Sequence, residues 1–184
     1  MTLSLPPRGI EVVLLTLLIG AALYDIRYRR IPNWLTVGGV AIGVALNAFL
    51  GPPVGGWPFA VKGMVLGFGA YFLLYALHAM GAGDVKLMAA VGALVGWQNW
   101  VGIFMLTAIM GGMAALILAV ARKRLGNTLW NVGFILTEMK SGRPAYLGKE
   151  ELDVKSRKSL GLPHGAVIAM ATICFLGLSA YFTR

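Results

Sequence analysis

A chain of 184 residues that is 58% hydrophobic and only 12% charged, with mean hydropathy +0.77, carries more apolar side chain than a soluble core of its size can hide. It is therefore an integral membrane protein. A net charge of +9 would suggest nucleic acid in a soluble protein, but here Lys and Arg fall mostly between apolar runs, where they report orientation, and no nucleic-acid partner is expected.

Apolar runs occur at Ile10–Tyr24, Trp34–Leu50, Trp57–Ala79, Val85–Trp97, Trp100–Ala121 and Leu162–Phe182. They predict an all-α integral membrane protein, a bundle of six transmembrane helices forming one polytopic domain over residues 1–184. A span needs about 20 residues, so the first and fourth runs must recruit flanking residues or sit in thinned bilayer. Turn chemistry marks the breaks: Ile31-Pro32-Asn33, Gly51-Pro52-Pro53, Gly81-Ala82-Gly83 and the polar Gln98-Asn99. Trp34, Trp57, Trp97 and Trp100 stand at run ends, as an interfacial aromatic belt requires. The single cysteine, Cys174, lies inside an apolar run, excludes a disulfide framework or a thiolate cluster, and reads as a packing residue.

The first run differs from a signal peptide because its positive charges, Arg27, Arg29 and Arg30, follow it. It is expected to be retained with its N-terminus outside. Six passes from that start put every Lys and Arg except Arg8, Lys62 and Arg184 on the cytoplasmic side, and leave both termini periplasmic. Between about 122 and 161 the chain turns polar, and Leu125, Leu129, Val132, Leu136 and Met139 form one apolar stripe. Leu125 to Met139 reads as an amphipathic helix on the cytoplasmic surface, covering the site, guiding substrate or packing on the bundle. Gly39 with Gly43, Gly63 with Gly67 and Gly92 with Gly96 offer small faces for close helix approach.

The chemistry rests on acids. Apart from Glu11 in the first run, the apolar segments have two carboxylates at their mouths: Asp25, opening Asp25-Ile26-Arg27-Tyr28-Arg29-Arg30-Ile31-Pro32-Asn33, and Asp84, closing Gly81-Ala82-Gly83-Asp84. The six-pass topology brings both to one face at similar depth. Ionisable groups at a membrane boundary are costly and mark function. Two close carboxylates share a proton, so one serves as base toward water and the other as acid toward a carbonyl, the aspartic-protease arrangement. Glycines at 81 and 83 would let substrate backbone approach Asp84. A plainer reading makes Asp84 only the cap of a helix. His78 near Asp84 has no second ligand in register, so neither metal nor cofactor is expected.

With Gly81-Ala82-Gly83-Asp84-Val85-Lys86 before the fourth helix and the Asp25 segment after the first, the chain resembles the type IV prepilin peptidases, a family of GxGD intramembrane aspartic proteases. Leu162-Pro163-His164-Gly165 is similar to that family's proline-glycine motif, although His164 replaces its usual aromatic residue. The resemblance implies Asp25 and Asp84 as the catalytic pair, Gly81 and Gly83 as loop-shaping, and structural or electrostatic roles for Arg27, Pro32, Asn33 and Lys86. It implies a prepilin or pseudopilin substrate helix in the lipid bilayer, cut at the cytoplasmic face of a bacterial or archaeal inner membrane, where a basic leader ends in glycine before a long apolar helix. The larger, bifunctional members add a cytoplasmic domain, often with CxxC pairs, and methylate the new N-terminus. This sequence resembles the short branch serving tight-adherence (Flp) pili, so a peptidase is expected and methylation is unsupported.

Three other readings stay open from sequence. A presenilin-like protease shares the Tyr24-Asp25 pair and GxGD, but its Pro-Ala-Leu motif is matched only partly by Pro144-Ala145-Tyr146. The acids could be a proton relay in a small proton- or cation-coupled transporter, although no repeat is evident. A non-enzymatic membrane anchor would make both acids dispensable.

Overall fold

The computed structural model describes residues 6–50, 56–78, 80–123, 125–126, 130, 133, 137 and 162–182. Within them the chain forms α1 (Arg8–Tyr28), α2 (Asn33–Leu50), α3 (Gly56–Ala76), α4 (Ala82–Ala121) and α5 (His164–Phe182). All five are long and apolar enough to cross a membrane. The short first run becomes adequate by recruiting Arg8 and the segment to Tyr28, giving 21 residues, or about 31 Å at the α-helical rise.

The fourth and fifth apolar runs are one element of 40 residues, interrupted at Gly96, whose φ of 74° and ψ of 171° are non-helical. A straight helix of that length would measure about 60 Å, far more than a bilayer core. Neighbouring contacts show that the chain doubles back at Gly96. A Cβ placed on Gly67 of α3 would abut both the Met88 carbonyl, before the break, and Trp100 Nε1, after it. Phe59, in the first turn of α3, fills the space a side chain at Gly96 would need. The two arms of α4 therefore lie along the same stretch of α3. The break falls before Gln98-Asn99, the polar pair that composition favoured, because only glycine accepts this backbone at low cost. Asn99 is buried instead.

Breaking a helix orphans carbonyls, and buried orphans are costly. Asn47 of α2, 2% exposed, donates Nδ2 to the carbonyls of Ala93 at 3.0 Å and Leu94 at 3.2 Å, and Asn99 donates to that of Val95 at 3.3 Å. Two side-chain amides thus hold the reversal. Asn47→Leu should destabilise the fold by about 1–3 kcal/mol, read as a lowered melting temperature in detergent. An unchanged melting temperature would refute this account of the turn.

The first arm is the centre of the bundle: every residue from Leu87 to Gly96 is buried. Its run of Ala89, Ala90, Gly92 and Ala93 lets neighbours approach on all sides. The arm packs against α3 and α2, and α5 bridges α4 and α1. All three glycine pairs noted in the sequence are contact points. Gly39 faces Leu17 and Ala90, Gly43 faces Ala93 and Leu94, and Gly63 meets Gly92 backbone to backbone.

Trp34 and Trp57 are 67% and 61% exposed, as interfacial anchors should be, but Trp100 is 2% exposed and stacks on Phe104 with ring centroids 5.2 Å apart. Trp100 belongs to the core, contrary to the belt expectation. Cys174 likewise faces outward rather than into the packing. Of the expected amphipathic stripe, Leu125 is described and exposed. Leu129, Val132, Leu136 and Met139 lie outside the described residues, as does most of 122–161.

Candidate active site

Four helix ends meet where α1 finishes and α2, α4 and α5 begin. α1 terminates at Arg29, in the left-handed region at φ 54°, whose N–H donates to the Asp25 carbonyl at 2.9 Å. This turns the chain sharply, and Ile31-Pro32 leads directly into α2. Asp25 stays in the last turn of α1 and is 8% exposed. At the other segment Gly81 is the N-cap of α4, and Asp84 stands in the first turn. The Gly81 N–H donates to Asp84 Oδ2 at 3.3 Å, and the Asp84 N–H to the Gly81 carbonyl at 3.1 Å. The capping role that the plain reading gave Asp84 is thus real, with Asp84 reaching back from the third position rather than sitting at the cap.

Asp25 and Asp84 line one cavity of about 480 Å³, together with Arg29, Arg30, Ile31, Pro32, Asn33, Gly81, Ala82, Gly83 and Lys86. Asp25 Oδ2 accepts a hydrogen bond from the backbone N–H of Gly165 at 2.8 Å, at the start of α5. The positive end of that helix therefore faces the carboxylate and fixes one of its oxygens. Lys86 Nζ donates to Asn33 Oδ1 at 2.8 Å, tying the start of α4 to the start of α2. Two carboxylates and three basic side chains around one cavity suit it to a polar backbone substrate.

Of the residues expected from sequence, Gly81, Gly83, Pro32, Asn33 and Lys86 come together with the two acids. Arg27 does not line the cavity. Its Nε donates to the Tyr28 hydroxyl at 3.2 Å on the exposed side of α1, and Arg29 and Arg30 are the arginines at the cavity. The glycine argument also changes. Gly83 is an ordinary helical residue, and a Cβ there would stand 3.3 Å from Ile31 Cβ. Its smallness lets the Asp25 segment close on the start of α4, whereas the sequence reading gave that space to substrate backbone.

Residues to which the sequence assigned no role complete the surroundings. Tyr71 of α3 is 1% exposed and lies within electrostatic reach of Asp84. His164 packs its ring 6.2 Å from that of Tyr71, filling the place of an aromatic residue with a flat polar one; its Nε2 is buried without a partner among the described residues. A tyrosine inside an apolar run was the only signal for Tyr71. The Pro163-His164-Gly165 motif pointed to the right segment, but sequence assigned it no role. Among the described residues no cluster of three or more His, Cys, Asp or Glu side chains could hold a metal.

The role of Gly165 yields a prediction. A Cβ there would lie 2.9 Å from Ile31 Cδ1 and 3.1 Å from Asp25 Oδ2, the atom its own N–H holds. Displacement of a reacting group by about 1 Å costs on the order of 10²-fold, so Gly165→Ala should slow any reaction that depends on the Asp25 carboxylate by about that factor with little change in melting temperature. Full activity in Gly165→Ala would refute the positioning role.

The family model for the type IV leader peptidase family matches residues 12–116, more than half of the chain and a span that includes both acids. The chain belongs to the type IV leader peptidase family. Among curated proteins it is similar to the prepilin leader peptidase/N-methyltransferase of Myxococcus xanthus, 28% identical over 122 residues, covering 62% of this chain and 36% of that protein. The proteins of the same description from Pectobacterium carotovorum and Pseudomonas putida are 31% and 29% identical, covering 61% and 78% of this chain. The chain spans only 36% to 51% of the length of these three family members. No solved structure matches it. Family and apolar helices together make it a multi-pass inner-membrane protein.

Proposed function

We propose that this chain is a prepilin peptidase, an intramembrane aspartic endopeptidase that removes the leader from type IV or Flp-type prepilins with Asp25 and Asp84 as its catalytic pair. One observation carries the reading: two acids from separate helices, α1 and α4, line a single cavity in which a backbone amide holds an oxygen of each. One carboxylate takes a proton from water as the oxygen attacks the scissile carbonyl, and the other gives its proton to the carbonyl oxygen. Collapse of the tetrahedral intermediate returns a proton to the leaving nitrogen and restores the pair. Gly81 and Gly83 shape the wall beside Asp84, and the hydrogen bond of Lys86 to Asn33, next to Pro32, ties α4 to α2 at the cavity. The relatives' printed description, prepilin leader peptidase/N-methyltransferase, supports the substrate class. Incubating the purified protein with a prepilin and following the mass of the pilin tests the reading, and an uncut precursor would overturn it. The same experiment separates a peptidase from a transporter or an anchor.

The whole chain acts in this reading as one polytopic peptidase domain with six passes. Its first α4 arm is short, but it lies inside protein and need not match the hydrocarbon thickness. The reversal at Gly96 supports the count, because it sits against the first turn of α3. Six passes put the acids at the cytoplasmic face with most of the basic residues, and both termini in the periplasm. Tags at the two ends should therefore react alike with an impermeant reagent added to intact cells after outer-membrane permeabilisation. A protected tag at either end would refute this topology.

A further inference from the structure

We propose that an apolar trough between α2, α3 and the first arm of α4 holds the membrane-embedded helix of the substrate, immediately beyond the bond that Asp25 and Asp84 cut. This rests on the peptidase reading above. The trough, of about 290 Å³, is walled by Val37 and Val40 of α2, Val65 and Phe68 of α3, and Ala89 of α4. Lys86 borders both this trough and the cavity of the acids. Asn33, which accepts the Lys86 hydrogen bond, lines the acid cavity, and Thr36, about one turn along α2, lines the trough. The two spaces therefore share one wall and run end to end.

Direction and opening identify the occupant. From the acid cavity, which ends at Asn33, the trough follows α2 from Thr36 to Val40, α4 from Lys86 to Ala89, and α3 in reverse from Phe68 to Met64, so it descends along the bundle for about 6 Å. Its lips, Val37, Val65 and Phe68, are 61%, 59% and 46% exposed on the flank of the helices, where the surroundings are lipid. Apart from Lys86 at its head, the trough is lined by no charged side chain. A soluble peptide would gain nothing from such a surface. A peptide with a polar stretch on one side of the scissile bond and an apolar helix on the other fits both spaces at once. Within lipid, helices associate through close packing rather than hydrophobic expulsion, and a trough floored by Ala89 offers the depth that such packing needs.

The test places a benzophenone amino acid at position 65 of the full chain, or at Ile109, a 60% exposed position on the second arm of α4, and co-expresses each with a type IV prepilin. The expected result is a covalent product at position 65 joined to the apolar segment of the prepilin, and none from position 109. Products at 65 with lipid alone or with a second copy of the chain, or equal yields from both positions, would overturn the proposal. In a second arm, Val65→Trp fills the trough and should raise KM for the full-length prepilin by about tenfold with a much smaller effect on kcat, the mark of a binding contact distant from the reacting bond. An unchanged KM would also overturn it. Cleavage without the position-65 product removes the trough and leaves the peptidase; the product without cleavage by the unsubstituted chain does the reverse.

Discussion

Asp25→Asn and Asp84→Asn should each abolish processing of a prepilin, with losses of several orders of magnitude. General acid and general base contributions run to about 10²–10⁴-fold each, and in the proposed mechanism the pair supplies both. Asparagine is nearly isosteric with aspartate, and its side-chain oxygen can still accept the N–H of Gly165 or of Gly81 that the structure gives to each carboxylate. The bundle should therefore survive while proton transfer is lost. Groups that act as one unit are non-additive, so the double variant should be no slower than either single one. Glu11, in the first turn of α1 at the far end of that helix from Asp25, is the control, and Glu11→Gln should process normally. Rates are read from the mass-shifted pilin, with folding checked by the elution profile in detergent. Appreciable processing by a folded Asp84→Asn protein would eliminate the aspartic mechanism and restore the transporter and anchor readings.

Gly63→Leu should prevent assembly of the bundle altogether. At this crossing α3 and the first arm of α4 touch backbone to backbone: a Cβ on Gly63 would fall on the Gly92 carbonyl oxygen and stand 2.8 Å from the carbonyl carbon of Gly96. Overpacking costs about 1–3 kcal/mol where flexible side chains can yield. Here the obstacle is main chain at the turn on which the two arms of α4 depend, so the helices must separate. The measurement is the fraction of protein eluting as a single species from detergent, together with its melting temperature. Gly69→Ala, on the same helix with nothing within 4 Å of its Cβ position, is the matched control and should gain up to about 1 kcal/mol from helix propensity. Equal behaviour of the two variants would contradict the packing of α3 on α4.

Hydropathy is a local property, and for that reason the sequence alone determined a great deal. It marked the protein as membrane-embedded, located the apolar segments, and isolated Asp25 and Asp84 as acids at the mouths of such segments. Their motifs supplied the family resemblance that the comparison bears out. Sequence could not decide which face of each helix meets protein and which meets lipid, because both are apolar and the polar/apolar periodicity of soluble helices is missing. Trp100 and Cys174 were misjudged for this reason: one is core and the other faces outward. Gln98-Asn99 looked like the break between helices, but the turn is at Gly96, since buried Asn47 and Asn99 amides satisfy the carbonyls it frees. The contacts that require glycine at 83 and 165 were equally invisible, for they exist only against Ile31 and Asp25 in space. Local composition names the acids; long-range packing of four helix ends gives each a fixed oxygen and a shared cavity.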